Sequence, residues 1–414
     1  MEPITISRIF LGFLLAKVLV QSYLELRQVK TLESNRDKVP ADFADTIALA
    51  DHQKAIDYSL DKLKTARFFR TFDLIILLLW TLGGGLELLH RQVAFLGFTG
   101  NMAGIAFFAG LAIISGVLGL PESLYSTFVL EEKYGFNKTT IKTFFTDMFK
   151  GILLSAIIGF PLLYVVLMIM DKLTDLWWLY TFVTIVLFQL LMIFIYPTFI
   201  APLFNKFSPL EDESLKERIN GLLAKCDFKS NGLFVMDASK RTGHGNAYFT
   251  GFGKNKRIVF FDTLLKTLDP EEVEAILAHE LGHYKRFHIY KMIFVSWLTL
   301  FVGLYVLAVL MKLPAFFMGH GVMTQTNYLT LALFSMVSGV YTFFSTPIST
   351  HFSRKHEYEA DQFASLVAKK EKLISSLLKL YKDNASSTVQ DQMYSNFYHS
   401  HPHARDRIKA LRAL

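Results

Sequence analysis

Long apolar runs alternate with polar stretches along this 414-residue chain, and that alternation limits the fold more than any other feature. About 20 apolar residues in a helix match the hydrocarbon thickness of a bilayer, and a helix satisfies its own backbone polar groups there. Seven such runs are present, at about residues 9–26, 72–89, 102–120, 152–170, 176–200, 289–311 and 328–348. Charged residues make up 19% of the chain, below the average of about a quarter, so charge is concentrated between the runs. The expected class is a mainly α membrane protein of about seven transmembrane helices.

Details within the runs refine this reading. The first has only Arg8 and Glu2 on its flank and no small-residue cleavage site after it, which predicts a retained helix. Lys17, Gln21 and Glu25 interrupt it and should face protein or a water-filled interior, or snorkel. Gly83-Gly84-Gly85 is expected to serve close helix packing, since no Lys-Ser/Thr follows to make a phosphate loop. Residues 27–70 read as a soluble hairpin or pair of helices, residues 131–137 beyond Pro121 as a polar loop, and Pro161 as a kink.

Lys and Arg gather after the first, third and fifth runs and in the tail, while the alternate loops carry little beyond Arg91, Lys172 and Lys312. The positive-inside rule then places the long soluble stretch and the tail in the cytoplasm. The expected divisions are 1–202 (helices 1–5 with loops), 203–288 (soluble segment), 289–348 (helices 6–7) and 349–414 (C-terminal segment). The net charge of +7 fits this topological bias; no basic motif with interleaved aromatics suggests a nucleic-acid partner. Cys226 is the single cysteine, which excludes intramolecular disulfides and a thiolate metal site, and the chain does not end in a Cys-containing lipidation box.

The soluble stretch carries His279-Glu280-Leu281-Gly282-His283. Asp269-Pro270-Glu271-Glu272 predicts a capped helix start, and Val273, Ile276, Leu277 and Leu281 recur at helical spacing. Residues four apart share a helix face, so both imidazoles can reach one metal ion while Glu280 stands over the open position. This is the pattern of a zinc hydrolase: two ligands, a general base and an activated water. Residues 232–237, 256–261 and 246–249 read as strands, giving a small αβ unit whose exposed edge could take a peptide as an added strand.

A third ligand is expected in Ser353-Arg354-Lys355-His356-Glu357-Tyr358-Glu359-Ala360-Asp361. Glu357 and Asp361 share a helix face, so Glu357 could bind metal while Asp361 orients a ligand histidine. Glu359 and His356 are rival ligands on other faces, and spacing does not choose among them.

These two motifs resemble the integral-membrane zinc endopeptidases of the CAAX prenyl protease type 1 family. Residues 131–137 (EEKYGFN), 239–241 with 245–249 (SKR and GNAYF), 254–259 (KNKRIV) and 261–265 (FDTLL) carry the resemblance across nearly the whole chain. It implies seven helices around a large intramembrane chamber, with one Zn²⁺ held by His279, His283 and Glu357 near the cytoplasmic side. It implies Glu280 as base, Asp361 as partner of a ligand, Asn246 near the substrate strand, and His401 and Arg407 near the reacting carbonyl. The implied substrates are proteins ending in a prenylated Cys-aliphatic-aliphatic-X box. The compact loops lean toward a prokaryotic member in a bacterial inner membrane, with the endoplasmic reticulum membrane as the alternative. A broader quality-control protease, and a channel or transporter with structural zinc, are the rival functions.

Overall fold

The computed structural model describes residues 2–173, 175–250 and 256–414. Lys254 and Asn255, part of one stretch singled out above, lie outside them. The first half is helical: α1 (Pro3–Ser34), α2 (Leu49–Trp80), α3 (Gly85–Phe95), α4 (Gly100–Tyr125), α5 (Ile141–Lys172), α6 (Trp177–Ile195) and the short α7 (Ala201–Phe204). Among the described residues six helices are long and apolar enough to span a bilayer, and a seventh span exists if α2 and α3, bent by 56°, count as one.

One local expectation changes, at the glycine run. Residues 27–70 are mostly the ends of α1 and α2, a pair of helices as expected, tied together by buried Glu25, which pairs with Arg67 (2.6 Å) and Arg70. Gly83-Gly84-Gly85 breaks a helix: Gly84 has φ +76°, a region open mainly to glycine, and Cβ atoms at Gly83 or Gly85 would meet the Leu79 carbonyl oxygen at 2.8–2.9 Å. Helix α4 runs through Pro121, and a π-helical turn carries it to Glu131, after which the polar stretch leaves the helix at a turn over Tyr134 and Gly135, as expected.

The spans pack at one end. Phe10, Leu86, Phe107, Leu167, Trp177, Leu307 and Leu333 belong to one buried cluster drawn from α1, α3–α6, α11 (His288–Leu310) and α13 (Asn327–Tyr341), joined by the short α12 (Pro314–Gly319). Toward the other end, residues 108–129, 137–165, 182–200 and 289–303 contain no buried side chain. A solid bundle would bury a stripe on each helix; these stretches bury none, so the helices are less tightly packed at this end.

The soluble unit sits at that end. It has a four-stranded sheet ordered β1-β2-β4-β3: β1 (Phe207–Pro209), β2 (Leu233–Met236), β3 (Ala247–Thr250) and β4 (Arg257–Phe261). Strands β2 and β4 are parallel, and the outer pairs are antiparallel. Helices α8 (Glu213–Lys225), α9 (Asp262–Thr267) and α10 (Pro270–Lys285) pack with it. So do α14 (Thr346–Val367), α15 (Lys370–Asp383) and α17 (Ala404–Ala413), while α16 (Gln392–Tyr398) packs on α14. Ile219, Phe260, Leu277, Leu281, Ala364 and Leu411 share one core, so the tail completes the soluble unit.

Candidate metal centre

Helix α10 begins as the sequence predicts. Asp269 accepts from the Glu272 amide and Glu272 accepts from the Asp269 amide, a reciprocal cap. His279 and His283 follow on one face. Their Nε2 atoms lie 3.2 Å apart, close to the roughly 3.3–3.4 Å expected for two nitrogens about 2.0–2.1 Å from one tetrahedral ion.

The third group comes from α14. Gly282 lets the two helices touch, since a Cβ there would meet Ala360 Cα at 2.8 Å and its carbonyl oxygen at 2.9 Å. Glu357, Ala360, Asp361 and Ala364 form the buried stripe of α14, so Glu357 is delivered to the histidines and Glu359 is not. Glu357 Oε1 lies 3.2 Å from His283 Nε2, and Oε2 lies 3.5 Å from His279 Nε2. The three candidate ligand atoms fall within 4.8 Å of one another. Glu357 Oε2 is buried and makes no well-aligned hydrogen bond, although His401 Nδ1 lies 2.9 Å and Arg407 Nη1 3.4 Å from it; a cation between the three groups would complete its coordination. These residues fit a metal ion.

Each imidazole is held from behind. His279 Nδ1 bonds Asp361 Oδ1 at 2.8 Å. Burial and the positive Arg407 push the His279 pKa down, but Asp361 and Glu357 outweigh them and hold it above its ordinary value. Asp361 in turn receives Arg407 on both oxygens, at 2.6 and 2.8 Å. His283 Nδ1 meets His288 Nδ1 at 3.1 Å. His288 is fully buried, bonds Glu359 through Nε2 at 2.9 Å and stacks on His356 at 4.0 Å. The two rival ligands of the sequence thus support His288, which sequence reasoning missed.

The remaining candidates separate. The Glu280 carboxylate is half-buried and makes no hydrogen bond or ion pair among the described residues, which leaves it available to a water. His401 is largely exposed, with Nδ1 2.9 Å from Glu357 Oε2. Arg407 is buried, 3.4 Å from Glu357 and committed to Asp361. Their neighbours are engaged elsewhere: His403 caps α17 and Arg405 pairs with Asp42. Asn246 stands just before edge strand β3 with Oδ1 turned to the Ala247 amide at 2.8 Å, and it has no hydrogen bond to the metal cluster among the described residues.

A cavity of about 730 Å³ opens beside His401, with Leu63, Ala66, Tyr394, Tyr398 and Val389 in its wall. The EEKYGFN stretch borders it as a connector: Glu131 takes the Tyr58 hydroxyl and stands 3.3 Å from His244 Nε2, while Phe136 stacks on the His244 ring at 4.2 Å. His244, a second residue the motif reading passed over, also bonds Asn384, joining the membrane loop to the soluble unit and tail.

Comparison with known proteins agrees with this arrangement. The profile described as CAAX prenyl protease N-terminal, five membrane helices, matches residues 28–206, and Peptidase family M48 matches residues 209–414. CAAX prenyl protease 1 of Saccharomyces cerevisiae is 35% identical, covering 97% of this chain and 94% of its own. The Homo sapiens CAAX prenyl protease 1 homolog is 32% identical, covering 95% of this chain and 92% of its own. The crystal structure of S. mikatae Ste24p matches with a TM-score of 0.91 at 34% identity, over 99% of this chain and 100% of that one. With a cluster that fits a metal ion set in the soluble unit beside the membrane helices, these matches show that the chain belongs to the CAAX prenyl protease 1 family of M48 peptidases, as a multi-pass membrane metallopeptidase acting on peptide or protein substrates.

Proposed function

We propose that the protein is a zinc endopeptidase that cleaves prenylated C-terminal Cys-aliphatic-aliphatic-X segments, with His279, His283 and Glu357 as ligands and Glu280 as general base. The observation that carries this reading is the convergence of three ligand atoms beside a carboxylate that has no partner of its own. Two imidazoles and one carboxylate with an open position form a catalytic zinc set; a structural zinc in a channel would close its shell with a fourth protein ligand.

When bound, zinc supplies a Lewis acid that polarises the scissile carbonyl and acidifies a water. Glu280 takes the water proton and returns it to the leaving amine nitrogen. The outer edge of β3 has no strand beside it among the described residues, so an extended peptide can pair there, near Asn246 and Tyr248. His401, exposed and 2.9 Å from Glu357, can leave that carboxylate and turn toward the developing oxyanion, while Arg407 acts through Asp361 and its 3.4 Å approach to Glu357. The apolar and aromatic wall beside His401 suits a prenyl chain.

The Lys/Arg asymmetry of the loops supports a cytoplasmic face for the centre. The compact loops support a bacterial inner membrane; the eukaryotic relatives give the endoplasmic reticulum membrane as the second reading.

The test compares a farnesylated Cys-aliphatic-aliphatic-X peptide with its unprenylated twin, using zinc-loaded protein and Glu280→Gln as the blank. Cleavage of the prenylated peptide alone is expected, with Glu280→Gln keeping metal and fold and losing on the order of 10²–10⁴ in rate. Equal cleavage of both peptides would replace the prenyl-specific reading with a broader quality-control protease. Full activity in Glu280→Gln would remove the assigned base.

A further inference from the structure

A second polar cavity, distinct from the metal centre, lies where the spans meet the soluble unit. Its volume is about 1070 Å³, and its wall holds seven Lys or Arg side chains against two carboxylates. Both carboxylates are already engaged. Asp147 takes Arg241 at 2.8 and 3.2 Å, and Asp237 takes Lys240 at 2.6 Å and the Lys206 amide at 2.7 Å. Among the described residues the ammonium groups of Lys138, Lys142 and Lys206 have neither an ion pair nor a hydrogen bond, and all three side chains are exposed. They come from three separate segments: the link before α5, the first turn of α5, and the link between α7 and β1. A topological band of lysines needs no such convergence on one concavity.

The surroundings indicate what the cavity takes. Lys142 begins a helical stripe that continues through Phe145, Phe149 and Ile152, all exposed, at spacings of three, four and three residues. Phe199 and Leu203 are exposed at the end of the neighbouring span. A cationic pocket thus adjoins exposed apolar surface on two helices long and apolar enough to cross a membrane. A soluble anion uses only the pocket; an anionic lipid uses both parts.

We propose that this cavity binds the phosphorylated headgroup of an anionic membrane phospholipid, with Lys138, Lys142 and Lys206 as counter-ions and the Phe145–Phe149–Ile152 stripe along its acyl chains. Basic pockets between membrane helices hold such headgroups, and a lysine near an anionic lipid surface contributes about five-fold in binding.

The test titrates the full-length protein in neutral detergent with fluorescent phosphatidylinositol 4-phosphate. Saturable binding is expected, with none for phosphatidylcholine. Combined Lys138→Gln, Lys142→Gln and Lys206→Gln should weaken binding on the order of 100-fold. Removing the same charge at exposed Lys229, Lys312 and Lys409 should leave it unchanged, and Lys→Arg at the three pocket positions should retain it. Unaltered affinity in the pocket Lys→Gln variant would overturn the site. Competition by free inositol 1,4-bisphosphate as strong as by the intact lipid would overturn the lipid assignment in favour of a soluble anion.

Discussion

His288 shows where residue-level reading of the chain stops. The His-Glu-x-x-His spacing, and Glu357 four residues before Asp361, lie on helix faces, so periodicity exposes them. His288 lies beyond the end of α10, where Phe287 turns the chain with φ +59°, and that turn brings the ring under His283. No spacing rule describes such a turn. The choice among Glu357, Glu359 and His356 was equally out of reach, because it depends on which face of α14 meets α10. If His288 orients His283, as a carboxylate-braced partner orients a metal-binding imidazole, then His288→Ala should weaken metal binding about 10–100-fold. Glu359→Gln should weaken it less, since an amide still bonds the ring. Competition for zinc against a calibrated chelator reads both, together with circular dichroism to confirm fold. Unchanged zinc affinity in His288→Ala would reduce the residue to core packing.

At the scale of elements, the centre depends on how α10 starts and how closely α14 approaches it. Partial burial pushes the Asp269 carboxyl up, but the Glu272 amide and the ammoniums of Lys372 and Lys379 outweigh it and hold it below the usual carboxylate range. A carboxyl depressed by folding contributes stability that is present above its unfolded value, near pH 4, and is lost as pH falls through the folded value. Asp269→Ala should therefore cost about 1 kcal/mol at neutral pH, and the gap between variant and parent should close below about pH 4. Thermal melts of detergent-solubilised protein across pH 3–7 would measure this. A gap that widens on acidification would contradict the sign. The approach of α14 has a sharper test. Gly282→Ala places a methyl 2.8 Å from Ala360 Cα, against backbone that cannot rotate aside. The helices must separate, at a cost of roughly 1–3 kcal/mol, and Glu357 moves with them. Weakened metal binding in a folded protein is expected; a fully active, zinc-tight Gly282→Ala would show that the two helices need not touch. The cap was legible because it is written in four consecutive residues, Asp269 to Glu272. The break at Gly83–Gly85 was misread because a glycine run permits both a turn and a close packing, and only its neighbours decide.

At the scale of the whole molecule, the number and length of the apolar runs were legible because bilayer thickness sets them, but the space between them was not. Hydropathy reports that a residue avoids bulk water in the folded state; it does not distinguish a lipid-facing wall from a packed interior. Glu87 illustrates this: its carboxylate accepts from the Met323 and Thr324 amides at 3.1 and 3.0 Å, and His90 bonds the Tyr328 hydroxyl at 2.6 Å. Both tie helices together at the packed end. At the other end the four stretches without a buried side chain leave room for one face toward lipid and one toward an enclosed interior. If that interior holds water, thiols placed along α4, α5, α6 or α11 should react with a small membrane-impermeant reagent at a period of 3.6 residues, deep within the bilayer. Cys226 is buried in the soluble unit and is the single native cysteine, so a Cys226→Ser background gives a clean scan. A solid bundle would label at helix ends alone. Labelling at mid-span on one face of each helix would show a wet chamber behind the metal centre, large enough to bring a peptide to β3 from within the membrane. Silence at mid-span would mean that the helices close on one another in the bilayer, and that substrate must reach the centre from the aqueous side.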